Sequence, residues 1–357
     1  MTPVPCQSLG GGTGRVYGGG MKSQEIQLTA LPDSSVTAAN FGVFDAEAPE
    51  PRPGQVLVAV RRLGLNAGLA SRIGSEGTAY GPGIGVGDTP ASDAVVEVIE
   101  SASDAYAVGD LAVGKVHWRS IDVCDSRDLR RIGAETEDLA WEDHLTILGH
   151  VGFTAYTGMI HVAQVQAGED VYITGAGGGV GSCAVQFAKA RGARVIGCVG
   201  SAEKVELVTG TLGADAAVNR HDGPALDLLR QAAPDGIDLY YDNVGGEQLE
   251  AALEMLRHGG RVVICGAVAK GTGAGAPRNY TRLIYGELTM RGFTVTEHED
   301  LRPQFEAEVG HWAREGTVRG IHTGFTGIES LPRAFESLLA GTSEGRVIVS
   351  MDEAGLS

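Results

Sequence analysis

From residue 25 to about residue 121 the chain alternates apolar and polar positions in short runs divided by turns. VLVAVRRLGLN (56–66), AVVEVIE (94–100) and DLAVGKVHW (110–118) carry the period of a strand with one buried face. Glycine-rich stretches such as AYGPGIGVGD (79–88) separate them. The pattern predicts a small, mainly antiparallel domain. After Leu145 the period changes. VYIT (171–174) predicts a strand, and the next stretch sets Val180, Cys183, Ala184, Phe187 and Ala188 on one helical stripe. RVIGCVG (194–200) then closes a βαβ unit. Strands near 239–242, 261–266 and 290–295 follow, with helices near 222–232, 246–257 and 301–315. That alternation predicts a parallel sheet covered on both faces. The helix SLPRAFESLLAG and the strand GRVIVSM, within 321–351, are expected to return to the first domain.

The expected fold is therefore α/β, with a doubly wound parallel sheet over 146–317 beside a smaller, mainly antiparallel β domain made from 21–145 and 318–357. Residues 1–20 are rich in glycine and lack apolar periodicity, which predicts a disordered tail, with Met21 as the expected start of the folded protein.

Composition narrows the function. Hydrophobic residues at 43% and charged residues at 20% suit a folded, cytoplasmic protein. No apolar run reaches the roughly 18 residues of a membrane span. A net charge of -17 repels a polyanion, which argues against nucleic acid as a partner. The five cysteines, Cys6, Cys124, Cys183, Cys198 and Cys265, are scattered without the spacing of a metal knuckle or redox pair. Each is expected to be reduced and buried, an isolated reactive thiol being the lesser alternative.

Between the first strand and helix of the βαβ unit stand Gly175, Gly177, Gly178, Gly179, Val180 and Gly181. A glycine-rich turn by itself is weak evidence, since a plain turn has the same composition. Its place at the strand-to-helix junction points to a dinucleotide, because the backbone can approach a pyrophosphate and the helix N-terminus offers free N–H groups. The parallel domain is thus expected to be of the Rossmann type. An NAD site normally carries Asp or Glu at the tip of the second strand, where this chain has Cys198-Val199-Gly200-Ser201. Ser201 and Lys204 are placed to bind a 2′-phosphate instead, and Arg220 after the third strand is either a further contact or a solvated cation. NADPH is the expected cofactor.

With these residues in place the chain resembles the medium-chain dehydrogenase/reductases, and within them the prostaglandin reductase or alkenal/one double-bond reductase branch. The likeness runs from about 55 to 351. It rests on Leu148-Gly149, Phe153-Thr154-Ala155-Tyr156, Val180-Gly181-Ser182, Gly200-Ser201-Ala202-Glu203-Lys204, Pro234-Asp235-Gly236-Ile237-Asp238, Asp242-Asn243-Val244-Gly245-Gly246, Cys265-Gly266-Ala267 and Pro277-Arg278-Asn279-Tyr280. The resemblance implies a GroES-like small domain and a homodimer. It implies NADPH contacts from Lys204 and Asn243, with Cys265, Gly266 and Ala267 beside them, and a substrate-facing Tyr285. The small domain departs from the family. Asn66-Ala67-Gly68-Leu69-Ala70 replaces an Asp-Pro-Tyr-Met-Arg stretch, and Ile121 stands where the family has a tyrosine after Trp118.

No cysteine, Gly-His-Glu motif or cysteine cluster of the zinc alcohol dehydrogenases is present, and His150 and His161 lack partners at ligand spacing, so no metal is expected. Without a Lewis acid, the natural chemistry is reduction of a polarised C=C bond in a small unsaturated carbonyl compound. The alternatives are a quinone reductase and a non-catalytic NADPH-binding protein.

Overall fold

The computed structural model describes residues 21–78, 81–134, 136–266 and 277–351. The expected tail over 1–20, Cys6 and Ala267 lie outside them.

A seven-stranded sheet organises the small unit. Across it run His322–Thr326, Arg346–Ser350, Gln55–Gly64, Ala91–Ser101, Leu111–His117 and Arg130–Arg131, with Ile121–Asp125 also pairing with Gln55–Gly64. Only the first pair is parallel. Strand period decides which side chains meet: Ala94, Val96 and Val98 enter one core, while Val95, between them, packs on the opposite face with Leu145 and Ile348. Helix Leu331–Ala340 closes the main core by setting Phe335 edge-on to Trp118 at 5.6 Å, with Phe41 as the third ring. The C-terminal helix and strand thus pack with the first unit. A hairpin of Lys22–Leu28 and Phe41–Glu47 covers the same core.

The second unit is a six-stranded sheet, all parallel, of Asp170–Thr174, Arg194–Val199, Ala216–Asn219, Ile237–Asp242, Leu256–Ile264 and Thr289–Gly292 in chain order. In space the order is third, second, first, fourth, fifth, sixth. The winding reverses between the first and fourth strands, so a crevice opens at their carboxyl ends. Helix Gly179–Ala190 lies against the sheet with the predicted residues Cys183, Ala184, Phe187 and Ala188 buried, while Val180 stays half-exposed in its first turn. The fifth strand starts at Leu256 rather than near 261. Gly259 takes a φ of +77° next to Gly260, and this irregularity lets Leu256 reach Ile237 before regular pairing resumes at Leu239.

One buried guanidinium ties three strands of the small unit together. Arg346, whose side chain is 1% exposed, donates to Asp93 at 2.8 Å and to the Gly64 carbonyl at 3.1 Å. Burial pushes the Asp93 carboxyl up, but Arg346, aided by His150 and Lys115, holds it below its ordinary value of 3.8. A carboxyl lowered in the folded state contributes stability above its ordinary pKa and loses it as pH falls through the folded value. Replacing Asp93→Ala leaves a buried charge unpaired and should cost about 3 kcal/mol at neutral pH. The deficit relative to the parent should shrink below pH ~4. Denaturant titrations at pH 7 and pH 3.5 check both; equal stabilities at pH 7 would show that Arg346 finds another partner.

Candidate active site

Strand Asp170–Thr174 runs buried into Gly175, which turns the chain at a φ of +61°. Gly178 is the N-cap of the following helix, and its N–H donates to the Gly175 carbonyl at 2.9 Å. A Cβ on Gly181 would stand 2.0 Å from the same carbonyl oxygen, so only glycine lets helix and turn approach this closely. Gly179 faces Val151 at 3.3 Å. The turn thereby brings the first N–H groups of the helix to the mouth of the crevice, where an anion is favoured.

The tip of the second strand is cationic. The Lys204 stem passes over Gly177 at 3.3–3.5 Å from a Cβ placed there, and its ammonium donates to the Gly341 carbonyl at 2.7 Å. The Arg220 guanidinium lies 3.5 Å from a Cβ placed on Gly200 and donates to His221. Burial, and to a lesser extent Arg220, pulls the Lys204 ammonium below its usual range, although Glu344 opposes this. The Ser201 hydroxyl accepts the Lys204 N–H at 3.3 Å as the cap of helix Ala202–Glu206. Glu203, the one carboxylate of this short helix's first turn, is turned to solvent.

On the other side of the crevice the loop after Ile237–Asp242 is held by a network that the residue pattern does not announce. Asp242, 1% exposed, accepts from the Tyr240 hydroxyl at 2.8 Å, the Val244 N–H at 2.9 Å and the Gly245 N–H at 2.7 Å. Asn243 then donates its side-chain amide to the Thr174 carbonyl at 2.7 Å and its backbone N–H to the Thr174 hydroxyl at 3.1 Å. This turns Asn243 toward Gly175, where its Cβ is 3.4 Å from a Cβ placed on that glycine. Cys265 and Gly266 both donate their N–H groups to the Asp242 carbonyl. Burial pushes the Cys265 thiol up to about 11, which disfavours the thiolate at neutral pH. The motif Asp242-Asn243-Val244-Gly245-Gly246 was legible, but the part of Asp242 needed the fold.

A second feature escapes sequence pattern altogether. Gly345 donates its N–H to the Gly177 carbonyl at 2.8 Å and pairs as a bridge with Gly178, so the segment 341–345 of the small unit lies across the glycine turn.

Tyr285 does not join this site within its own chain. It stands on the short helix Arg282–Tyr285, 77% exposed, with Ile284 and Tyr280 also exposed. The next residue, Gly286, accepts from the Gly259 N–H at 2.8 Å, near the start of the fifth strand and thus at the amino end of the sheet. In a single copy of the chain Tyr285 therefore lies at the surface, away from the glycine turn. The apolar neighbour Leu283 takes the core position instead. His150 lies near Asp93 and Arg346, whereas the His161 ring meets His298 at 5.2 Å. Among the described residues no three His, Cys, Asp or Glu side chains gather as a metal set.

Two family models match, one described as zinc-binding dehydrogenase over 179–309 and one as the N-terminal domain of oxidoreductase over 24–132. The chain is 30% identical over 330 residues to the NADPH-dependent curcumin reductase of Escherichia coli, covering 90% of this chain and 95% of that one. It is 33% identical over 324 residues to prostaglandin reductase 1 of Rattus norvegicus, covering 88% and 94%. The chain belongs to the medium-chain dehydrogenase/reductase superfamily, in its zinc-free branch. A crystal structure of CurA in complex with NADPH from Vibrio vulnificus superimposes with a TM-score of 0.84 at 27% identity, covering 92% of this chain and 99% of that one.

The glycine turn of this medium-chain reductase makes a direct prediction. Gly181→Ala should force helix and turn apart and cost roughly 1–3 kcal/mol, as overpacking does. Thermal unfolding of the purified variant checks it, and an unshifted midpoint would show that the turn yields freely.

Proposed function

We propose that the protein uses NADPH to reduce the C=C bond of an α,β-unsaturated carbonyl compound, with the crevice between residues 146–317 and the small unit as its active site. The observation that carries the cofactor assignment is the strand tip, where Lys204 lies over Gly177 and Arg220 beside Gly200, and where the neighbouring carboxylate, Glu203, is fully exposed and bonded to Ser201. The relatives agree: one is named NADPH-dependent, and CurA was solved with NADPH. Their names also specify reductases of curcumin and of prostaglandin, which supports a small organic carbonyl compound as substrate.

The residues present fit that cofactor. Gly175, Gly178, Gly179, Val180 and Gly181 would cradle the pyrophosphate, since the helix start leaves N–H donors free and glycine keeps side chains out of the way. Ser201, Lys204 and Arg220 would take the 2′-phosphate, the charged pair more strongly than the capped serine. Asn243, Cys265 and Gly266 would border the nicotinamide end, with Asp242 holding the loop around Asn243 in place. When bound, the cofactor supplies a hydride, which goes to the β-carbon. The chain's part is to align the two reactants and exclude water, and a hydroxyl then holds the developing enolate oxygen before the α-carbon is protonated.

The exposed edge strand Thr289–Gly292 supports a homodimer, and we place the protein in the cytoplasm. A two-fold axis across such an edge pairs the strands antiparallel, which carries the amino end of one sheet toward the carboxyl end of the other. Tyr285 is therefore proposed to reach the crevice of a partner copy rather than its own.

NADPH should bind at least ten-fold more tightly than NADH, and Lys204→Ala should remove the preference while sparing NADH, because a charge-assisted hydrogen bond is worth about 1.5–3 kcal/mol. Equal dissociation constants in the parent would defeat the assignment. NADPH oxidation measured against a panel of enones and a panel of quinones separates the proposed reaction from quinone reduction, and silence on both leaves only the binding-protein alternative. Tyr285→Phe should lower turnover on a good enone by ten-fold or more with NADPH affinity unchanged, by analogy with single oxyanion donors. Unchanged turnover would remove Tyr285 from the site.

A further inference from the structure

Apart from the glycine turn, a cavity of about 290 Å³ opens where the two units meet. One wall is the edge of the seven-stranded sheet around 113–115, together with the loop 127–130. The other is formed where helix His150–Tyr156 and helix Arg302–Arg314 begin. In a chain with a net charge of -17 its lining is unusual, for Lys115, Arg127, Arg130 and Arg302 all border it.

The carboxylates there are mostly engaged. Asp93 is held by the buried Arg346 at 2.8 Å, and Glu299 binds Arg302 through two oxygens at 2.5 and 2.9 Å, which leaves Asp128 as the third. Arg130 reaches out of the cavity to Glu306 at 3.0 Å, yet Arg302 remains close enough to weigh against its charge after burial has done so. Lys115 makes no hydrogen bond or ion pair among the described residues and lies near both Asp93 and His150. Arg127 is held by Asp125, Arg130 by Glu306 and Arg302 by Glu299, so Lys115 is the one cation of the lining whose side chain has no carboxylate partner among the described residues.

An independent observation concerns His144, which lines the cavity and is 1% exposed. Its Nε2 faces the Thr136 carbonyl at 3.1 Å and must donate to it, so Nδ1 is a bare acceptor, and it has no partner. Burial drops the imidazole to about 4, which keeps it neutral at physiological pH. A buried acceptor without a donor costs on the order of 1–3 kcal/mol unless something supplies one. Cations alone would suit any anion; the bare nitrogen asks for an anion that also carries a proton.

We propose that this cavity is a binding site for a small oxyanion that retains a hydroxyl group, such as hydrogen phosphate or a hydroxycarboxylate. Lys115 holds the charged oxygens, and the hydroxyl serves His144. The site is separate from the glycine turn and does not depend on the proposed reaction. Because its walls come from both units, an occupant ties them together.

Calorimetric titration of the whole protein with sodium phosphate, at constant ionic strength, tests this. The glycine turn and Lys204 are a second place for phosphate, so Lys204→Ala is the control. Saturable binding that survives in Lys204→Ala and weakens about ten-fold in Lys115→Met is the expected result. Binding lost in Lys204→Ala and kept in Lys115→Met, or no binding at all, overturns the site. Sulfate has no hydroxyl at neutral pH and lactate has one, so lactate should bind and sulfate should bind less well than phosphate. Sulfate equal to phosphate would overturn the part assigned to His144. Lys115 is exposed and outside any hydrogen bond, so its replacement leaves the fold intact, which an unchanged melting curve confirms.

Discussion

The close approach of Gly181 to the Gly175 carbonyl is the constraint from which the site follows. A methyl group at 181 would collide with backbone, and backbone cannot swing aside as a flexible side chain can. Because the contact is permitted, helix Gly179–Ala190 begins directly over the end of strand Asp170–Thr174 and aims its first N–H groups at the crevice. Everything else at the site is arranged around that turn: the Lys204 stem against Gly177, Asn243 against Gly175, and Gly345 bonded to the Gly177 carbonyl. A loose turn would lose all three contacts together.

The electrostatics show how an acidic protein accommodates anions. Its overall charge opposes them at long range, but salt confines that effect to about 8–10 Å around exposed groups. Local arrangements therefore decide. At the strand tip the cations come together beside glycines, the Lys204 stem over Gly177 and the Arg220 guanidinium next to Gly200. At the junction of the units the same end is reached by different means, with the buried Arg346 neutralising Asp93 and Lys115 left without a carboxylate partner of its own among the described residues.

The segment 341–345 gives the small unit a direct hold on the cofactor turn. Lys204 donates to Gly341 across the crevice, and a 2′-phosphate would be a stronger acceptor than that carbonyl. In the proposed cofactor site, capture of a 2′-phosphate and the relation of the two units would be linked through one ammonium group. Its depressed pKa, set first by burial, fits a charge kept from full solvation.

Periodicity alone determined the two kinds of sheet, because burial of one strand face leaves a period of two and a helix on a sheet leaves one near 3.6. It also assigned the C-terminal helix and strand to the first unit and located the glycine turn by its place in the βαβ pattern. Those signals are local. The tertiary structure alone decided which residues meet across long separations: Asp242 under Asn243, Gly345 on Gly177, and Arg346 on Asp93, 253 positions apart. The same holds for Tyr285. Its neighbours Leu283 and Ile284 look equally apolar, yet one packs in the core and the other is exposed, because a single helical turn has only one inner face. No pattern of types along the chain states which face that is; it is set by the helix Glu247–Met255 that the turn rests on.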